Sequence, residues 1–230
     1  MWLWTLIVQQ AHGATVTVDH AAIVAIGVAG VDAVAVAVVL AASPRETVYA
    51  SNPLAGDMEE LATTVGEGPG VDALSDGPAL VGDLGSVRCQ TRWPAFAPGA
   101  IDAGVHAVFA LPLQVGGVHI GVMDLYRAHP GPLETGQLAD ALLLADTACA
   151  LLLDASTPGG TAQPAATGLQ YPEVHQATGM IIAQASVSAP VALIRLRAHA
   201  YANDRRLHDV AADVVARRLR FHPDPGTDGT

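Results

Sequence analysis

Apolar residues change their spacing several times along the chain, and each change marks an element. AVAVAVVLA (33–41) is a continuous run of small and β-branched residues, the pattern of a strand covered on both faces. SPRE and TVYAS follow it, so a second strand is predicted after a turn in which Ser43 and Pro44 supply the turn chemistry. GVHAVFALPLQV (104–115) and GVHIGVMDLYRA (117–128) are two further apolar runs that break at Gly116 and Gly117, which predicts a β-hairpin. ETGQLADALLLADTACALLLDA then spaces Leu138, Leu142, Ala145, Cys149 and Leu152 as one stripe of a long helix. Between these elements EGPGVDALSDGPALVGDLGS is rich in glycine and acidic residues and reads as one loop or several. No internal repeat of fixed period is present.

DASTPGGTAQPAATG (154–168) is small, polar and rich in Gly and Pro, with nothing periodic to bury, so it reads as a flexible linker. Beyond it the pattern is wholly helical. PEVHQATGMIIAQA places Val174, Ala177, Ile181 and Ala185 on one stripe, with Pro172 near the start, where a missing amide hydrogen matters least. A second helix is predicted from an N-cap at Ser188, with Pro190 in its first turn, to Asn203 or Asp204. A third follows Arg206 and turns Leu207, Val210, Ala211, Val214 and Val215 inward. Three such helices make a minimal bundle that buries little by itself, so support from a partner subunit or the larger domain is expected.

Charge divides the chain at the same place. The formal net charge is −11 over 230 residues, yet residues 1–170 hold four Arg against sixteen Asp and Glu, whereas residues 171–222 hold seven Arg against four acids. An acidic body that carries a basic module points to a polyanionic partner for that module. A short Arg-rich helix solvated on one face is the plainer reading of the same charges. Apolar residues make up 51% of the chain, enough for ordinary buried cores. Cys89 and Cys149 form no CxxC motif, which fits a reducing compartment. MWLWTLIV is apolar but short and lacks a basic flank, and the run around residues 24–42 contains Asp32 and two glycines; neither reads as a membrane span or signal peptide, and a cytoplasmic protein is expected.

The sequence also bears on chemistry. Its nine His are scattered, without HxH or HExxH spacing, and neither GxSxG nor a Walker A loop occurs. No metal, cofactor or enzymatic activity is expected. Asp83 in VGDL and Asp124 in VMDLYR could form an acid pair, but no nucleophile accompanies them. Trp93, Phe96 and Phe109 are candidates to wall an effector pocket, or else are hydrophobic core. Near the C-terminus Tyr201, Arg205 and Arg206 cluster at one helix junction, and Arg197 stands one turn before Tyr201. Guanidinium groups fork onto phosphates and stack on bases, and a tyrosine ring offers a platform, so this set suits a polyanion with exposed bases, although Tyr201 reads equally as a partly buried core aromatic. Gly179 would admit either a nucleotide backbone or a neighbouring helix, and Arg217, Arg218 and Arg220 suit the negative end of the third helix's dipole.

Residues 172–221 resemble the ANTAR domain, a three-helix RNA-binding module of bacterial antiterminators. The resemblance lies in Gln176, Ala177 and Gly179 of the first helix, in Ala192, Leu196, Arg197 and Ala200 of the second, and in Arg205, Arg206, Leu207, Val210 and Ala211. Thr178 stands where the family often has Lys, so one phosphate contact of the family is missing. Residues from about 15 to 153 resemble a GAF domain, a sensory fold with an antiparallel sheet flanked by helices, on the strength of GEGPGVDAL, VGDL, RWPAFAPGAIDAGVHAVFALPLQVGGVHIGVMDLYR and the Leu-rich helix. The combination is similar to actinobacterial GAF and ANTAR regulators. The signature Asn-Lys-x-Phe-Asp-Glu of cyclic-nucleotide-binding members has no counterpart.

The expected fold is therefore α+β: a GAF domain over 15–153, a linker over 154–170 and a three-helix ANTAR bundle over 171–222. The resemblance implies a signal-responsive regulator that binds stem-loops in nascent mRNA and promotes transcription antitermination. Gln176, Ala177, Thr178, Gly179, Arg197, Tyr201, Arg205 and Arg206 would contact RNA, and a small-molecule effector or a partner protein would act on the GAF domain. A homodimer is expected from the small bundle and from the Leu138–Leu152 helix, apolar on more than one face. The alternatives are a DNA-binding regulator, disfavoured by Asp209 and Asp213 on the third helix, and a protein-binding sensor with a dimerising helical tail.

Overall fold

The computed structural model describes residues 2–39, 45–155 and 172–223. Contacts divide the chain into two compact units, a larger one from the N-terminal part and a smaller one holding the three helices after residue 171. The expected linker, apart from Asp154 and Ala155, and the turn at Ser43 and Pro44 lie outside the described residues.

In the larger unit, side-chain alternation along the strands sets the layers. Five antiparallel strands, β1 (Ala33–Val38), β2 (Glu46–Ala50), β3 (Ala79–Val81), β4 (Ala107–Val115) and β5 (Val118–Arg127), line up in the order β2-β1-β5-β4-β3. Successive strand residues point to opposite faces. Val34, Val36, Phe109, Leu111, Met123 and Leu125 share a core with α2 (Val18–Ala29) and α7 (Thr135–Ala155). Ala37, Ala110 and Val122 meet Ala73 of α4 (Pro69–Asp76) on the opposite face. The same face carries Asp124 and Tyr126 against α3 (Pro53–Val65). The alanines of β1 keep that second face shallow, which brings polar groups of α3 and α4 close to the sheet.

Small residues also let α2 lie close to α7. Ala21, Ala22, Ala25 and Ala29 are buried, as are Ala141, Leu144, Ala145, Ala148 and Cys149 of α7. Thr17 caps α2 by a capping box with His20, and Gly30 ends it at a φ of 61° in the left-handed region. A preceding helix, α1 (Trp2–Gln10), packs on α2 through Leu3 and Ile7.

The predicted hairpin is β4–β5, and the predicted pair of strands is β1–β2. Two expectations are corrected. Residues 67–86 contain α4 and β3 rather than loops alone: Gly66 and Gly68 do adopt positive φ, 73° and 131°, but Pro69 opens a helix in which Gly70 is buried. On α7 the buried stripe is displaced, and Leu142 is 38% exposed. The short helices α5 (Val87–Arg92) and α6 (Phe96–Asp102) complete the unit.

The smaller unit follows its periodicity closely. In α8 (Pro172–Ala185) the buried residues are Val174, Ala177, Ile181 and Ala185. Ala192, Leu196 and Ala200 of α9 (Ala189–Ala202) and Leu207, Val210, Ala211 and Val214 of α10 (Leu207–Val215) complete one cluster, with Val215 at its margin. Ser188 is the N-cap of α9 and Asn203 its C-cap. Among the described residues no single helix is long and apolar enough to cross a membrane.

Candidate nucleic-acid interface and sensory unit

The α9–α10 junction is a tight turn that projects side chains outward. The amide of Arg205 donates to the carbonyl of Ala200 at 2.9 Å, and Asp204 adopts a φ of 51°, a conformation that Asp tolerates better than most residues. This folds the chain back while leaving Tyr201 59% exposed and Arg205 and Arg206 exposed. Arg206 is also the N-cap position of α10. Asp213 anchors two guanidinium groups: Arg205 Nη2 lies 2.8 Å from its Oδ2, and Arg218 Nη2 2.6 Å from its Oδ1. Hydrogen bonds from Arg205 and Arg218 hold this carboxyl below the usual aspartate range. The acid that seemed to spoil α10 as a basic surface thus orients two of its arginines.

The positions on α8 separate into two kinds. Ala177 is fully buried in the bundle, so its side chain serves packing. The Thr178 hydroxyl donates to the Val174 carbonyl at 2.7 Å, bonding back along its own helix. Gln176 and Gly179 are exposed, and a Cβ on Gly179 would meet nothing within 4 Å. Helix packing therefore does not require the glycine. Arg197 stands on α9 one turn before Tyr201, as the spacing indicated.

In the larger unit the three aromatic residues part company. Trp93 lines a cleft of about 440 Å³ with Asp72, Asp76, Gly82, Arg88 and Arg92. Its Nε1 donates to Asp72 at 3.0 Å, and the Arg92 guanidinium lies 5.5 Å from its ring centre while pairing with Asp72 and Asp76. Phe96 is buried against Gly68, and Phe109 sits in the α2–α7 core with the Arg127 guanidinium 5.1 Å from its ring.

A polar cluster that sequence reasoning missed lies between the sheet and α3. The guanidinium of Arg45 bonds both Glu59 and Asp124, the latter at 2.6 Å. Tyr126 donates its hydroxyl to Glu59 at 2.7 Å, and Thr47 donates to the same carboxylate at 3.3 Å. Arg45, Glu59 and Asp124 are all buried. Among the described residues, Nε and Nη1 of Arg45 and Oδ1 of Asp124 have no hydrogen-bond partner. Burial works against the charge on Arg45, but Glu59 and Asp124 outweigh it and raise its pKa. Burial, reinforced by Glu59 and opposed by Arg45, pushes Asp124 up to about 7. Burial, Glu59 and Asp124 also raise Tyr126 well above a normal phenol. Asp83 takes no part in this cluster; its carboxylate accepts from the amide of Gly85 at 2.8 Å. The one signal in the sequence was an Asp within the apolar run VHIGVMDLYR.

Residues 172–215 match the family model of the ANTAR domain. The chain is similar in structure to the GAF domain of a phosphoenolpyruvate-protein phosphotransferase from Coxiella burnetii, at 13% identity and a TM-score of 0.49, over 66% of this chain and 94% of that one. It is also similar to the GAF domain of an Acinetobacter phosphoenolpyruvate-protein phosphotransferase, at 11% identity and a TM-score of 0.49, over 70% of this chain and 95% of that one. No curated protein matches the chain.

Proposed function

We infer that this chain is a signal-responsive RNA-binding regulator, which grips stem-loops in nascent mRNA and so promotes transcription antitermination. The observation that carries the reading is the ANTAR match over 172–215, coincident with a three-helix unit whose α9–α10 junction leaves Tyr201, Arg205 and Arg206 exposed. Arg205, held by Asp213, presents a fixed fork to a phosphate, Arg206 adds a second cation beside it, and Tyr201 offers a ring for an unstacked loop base. Gln176 and Gly179 add an amide and an unobstructed backbone approach on α8. The division of labour is a GAF sensor over 15–153, a linker over 154–170 and the RNA-binding bundle over 171–222. A small-molecule effector or a partner protein acts on the sensor, where the cleft beside Trp93 is the place for it. The chain works as a homodimer in the cytoplasm and regulates rather than catalyses.

A shift assay with a hairpin RNA, its duplex DNA equivalent and a single-stranded control, repeated across salt concentrations, tests this. Hairpin binding that weakens with salt at a slope of roughly 0.7–0.9 per phosphate contact is expected. Equal retention of duplex DNA, or of neither nucleic acid, would overturn it.

A further inference from the structure

β3 is the last strand of its sheet, and its outer edge is open. The register pairs Ala79 with Ala110 and Val81 with Val108. Backbone bonds alternate along an antiparallel pair, so one bond fixes the direction of every group across the sheet. Val39 donates to the Ile120 carbonyl at 2.9 Å, so the even residues of β5 bond β1, its odd residues bond the odd residues of β4, and the even residues of β4 bond Ala79 and Val81. Leu80 therefore turns its N–H and C=O away from the sheet, and among the described residues nothing bonds them there. Next along this edge the Gly131 amide donates to the Gly82 carbonyl at 2.7 Å, so backbone already docks on it. The sequence ALV carries no charged side chain to guard the strand. The cleft of about 440 Å³ follows the same edge, with residues 77–82 on one wall and Arg88, Cys89 and Arg92 of α5 on another. Asp72 and Asp76 hold Arg92, and Asp83 accepts from the Gly85 amide. Arg88, one turn before Arg92, is exposed, and no hydrogen bond or ion pair engages it among the described residues.

We propose that this cleft takes an extended peptide segment of a partner protein, which adds as a strand beside β3 and sets an acidic side chain on Arg88. The proposal rests on the reading of the cleft as the sensor's effector site, and it names the occupant. A groove with a strand edge on one wall and a helix on the other suits strand addition, in which main-chain bonds give affinity and alternate side chains give selectivity. Leu80 offers one donor and one acceptor on the same edge, the pair that one residue of an added antiparallel strand satisfies. Six consecutive lining residues span roughly 20 Å at strand spacing, the length of an extended chain rather than of a compact metabolite. Residues 1–170 hold only four Arg, and two of them line this cleft, so an acidic side chain finds here a cation that the rest of the body withholds. A nucleic acid is the poorer occupant, because Asp72, Asp76 and Asp83 on the walls repel a continuous run of phosphates.

The probes are hexapeptides that alternate Thr and Val around one Glu, Gln or Lys, titrated into the isotope-labelled full chain and followed by its amide resonances. The Glu peptide should move the Leu80 resonance and bind several-fold more tightly than the Lys peptide. N-methylation of alternate peptide residues separates strand addition from adventitious contact: one series loses its bonds to Leu80 and should not bind, whereas the other should bind as before. Leu80→Pro removes the outward N–H and keeps the bonds of Ala79 and Val81 to β4, as an edge strand permits, so affinity should fall roughly tenfold while tryptophan fluorescence and melting hold. Should that variant not fold, Arg88→Glu at its exposed site decides, because it should reverse the order of the Glu and Lys peptides. The proposal is overturned if no peptide moves Leu80 at millimolar concentration, if both N-methylated series bind alike, if Lys serves as well as Glu, or if a folded Leu80→Pro variant binds like the parent. Hairpin binding is scored separately on the same samples, so failure of the RNA reading leaves this result untouched.

Discussion

Replacing Asp124 by Asn tests the buried cluster of the larger unit. Two carboxylates, Glu59 and Asp124, share the single guanidinium of Arg45 out of contact with water, so full ionisation leaves one negative charge in excess. Asp124 resolves the excess by holding a proton, with its pKa pushed from 3.8 to about 7. At about 1.4 kcal/mol per pH unit, that displacement corresponds to ~4 kcal/mol. The folded state binds the proton more tightly than the unfolded chain, so stability is fully present below 3.8 and is lost as pH rises toward 7, after which the loss is constant. Between pH 5 and pH 8 this group alone should remove ~3 kcal/mol from the parent. Asn keeps the shape, cannot ionise and leaves Arg45 paired one-to-one with Glu59. The difference in stability, variant minus parent, should therefore climb by ~3 kcal/mol over that interval, whatever its value at pH 5. All three tryptophans, Trp2, Trp4 and Trp93, lie in the larger unit, so urea unfolding followed by their fluorescence reads that unit without the bundle. Parallel curves for parent and variant from pH 5 to 8, with unchanged dependence on urea, would refute the reasoning, as would a difference of opposite sign.

Four further variants test particular positions. Gly70→Ala would drive a Cβ into Arg45 Nη1 and the Asp124 carboxylate, so the larger unit should lose about 1–3 kcal/mol by urea unfolding. Arg205→Ala should weaken hairpin binding by about 1–3 kcal/mol and flatten the salt slope by roughly 0.7–0.9, while melting barely moves, since an exposed pair with Asp213 contributes little; Tyr201→Ala should match the affinity loss without changing the slope, because stacking releases no counterions. Val210→Asp places a carboxylate at a fully buried position of α10 and should abolish the bundle's helical circular dichroism while tryptophan fluorescence keeps the signature of a folded larger unit.

What could be read from the sequence is what depends on near neighbours. The stripe Val174, Ala177, Ile181 and Ala185 repeats every three or four residues, and the structure buries all four. The break at Gly116 and Gly117 lies between two strands that pair along their length. Turn residues misled where a distant contact decided their role. Gly70 lies among glycines that do form turns, but it sits inside α4, where the close approach of Arg45 and Asp124 leaves no room for a Cβ. The buried cluster joins residues 14, 67 and 79 positions apart, a separation over which no periodicity carries information.

The exposed arginines show a different limit. Composition placed seven Arg after residue 194, and nothing in their spacing said which were held in place. Asp213 supplies that distinction, because Arg205 and Arg218 bond its two oxygens, whereas Arg217, just past the C-terminal end of α10, adopts a φ of 61°. An arginine already oriented loses less side-chain freedom when it meets a phosphate. On the proposed RNA-binding reading, Asp213 would therefore act against RNA through its charge and for RNA through geometry. Asp213→Asn separates the two: it removes the repulsion but weakens the hold on Arg205. Where orientation matters more, the variant binds hairpin RNA less tightly than the parent despite its added positive charge, and tighter binding would show that charge alone governs the surface.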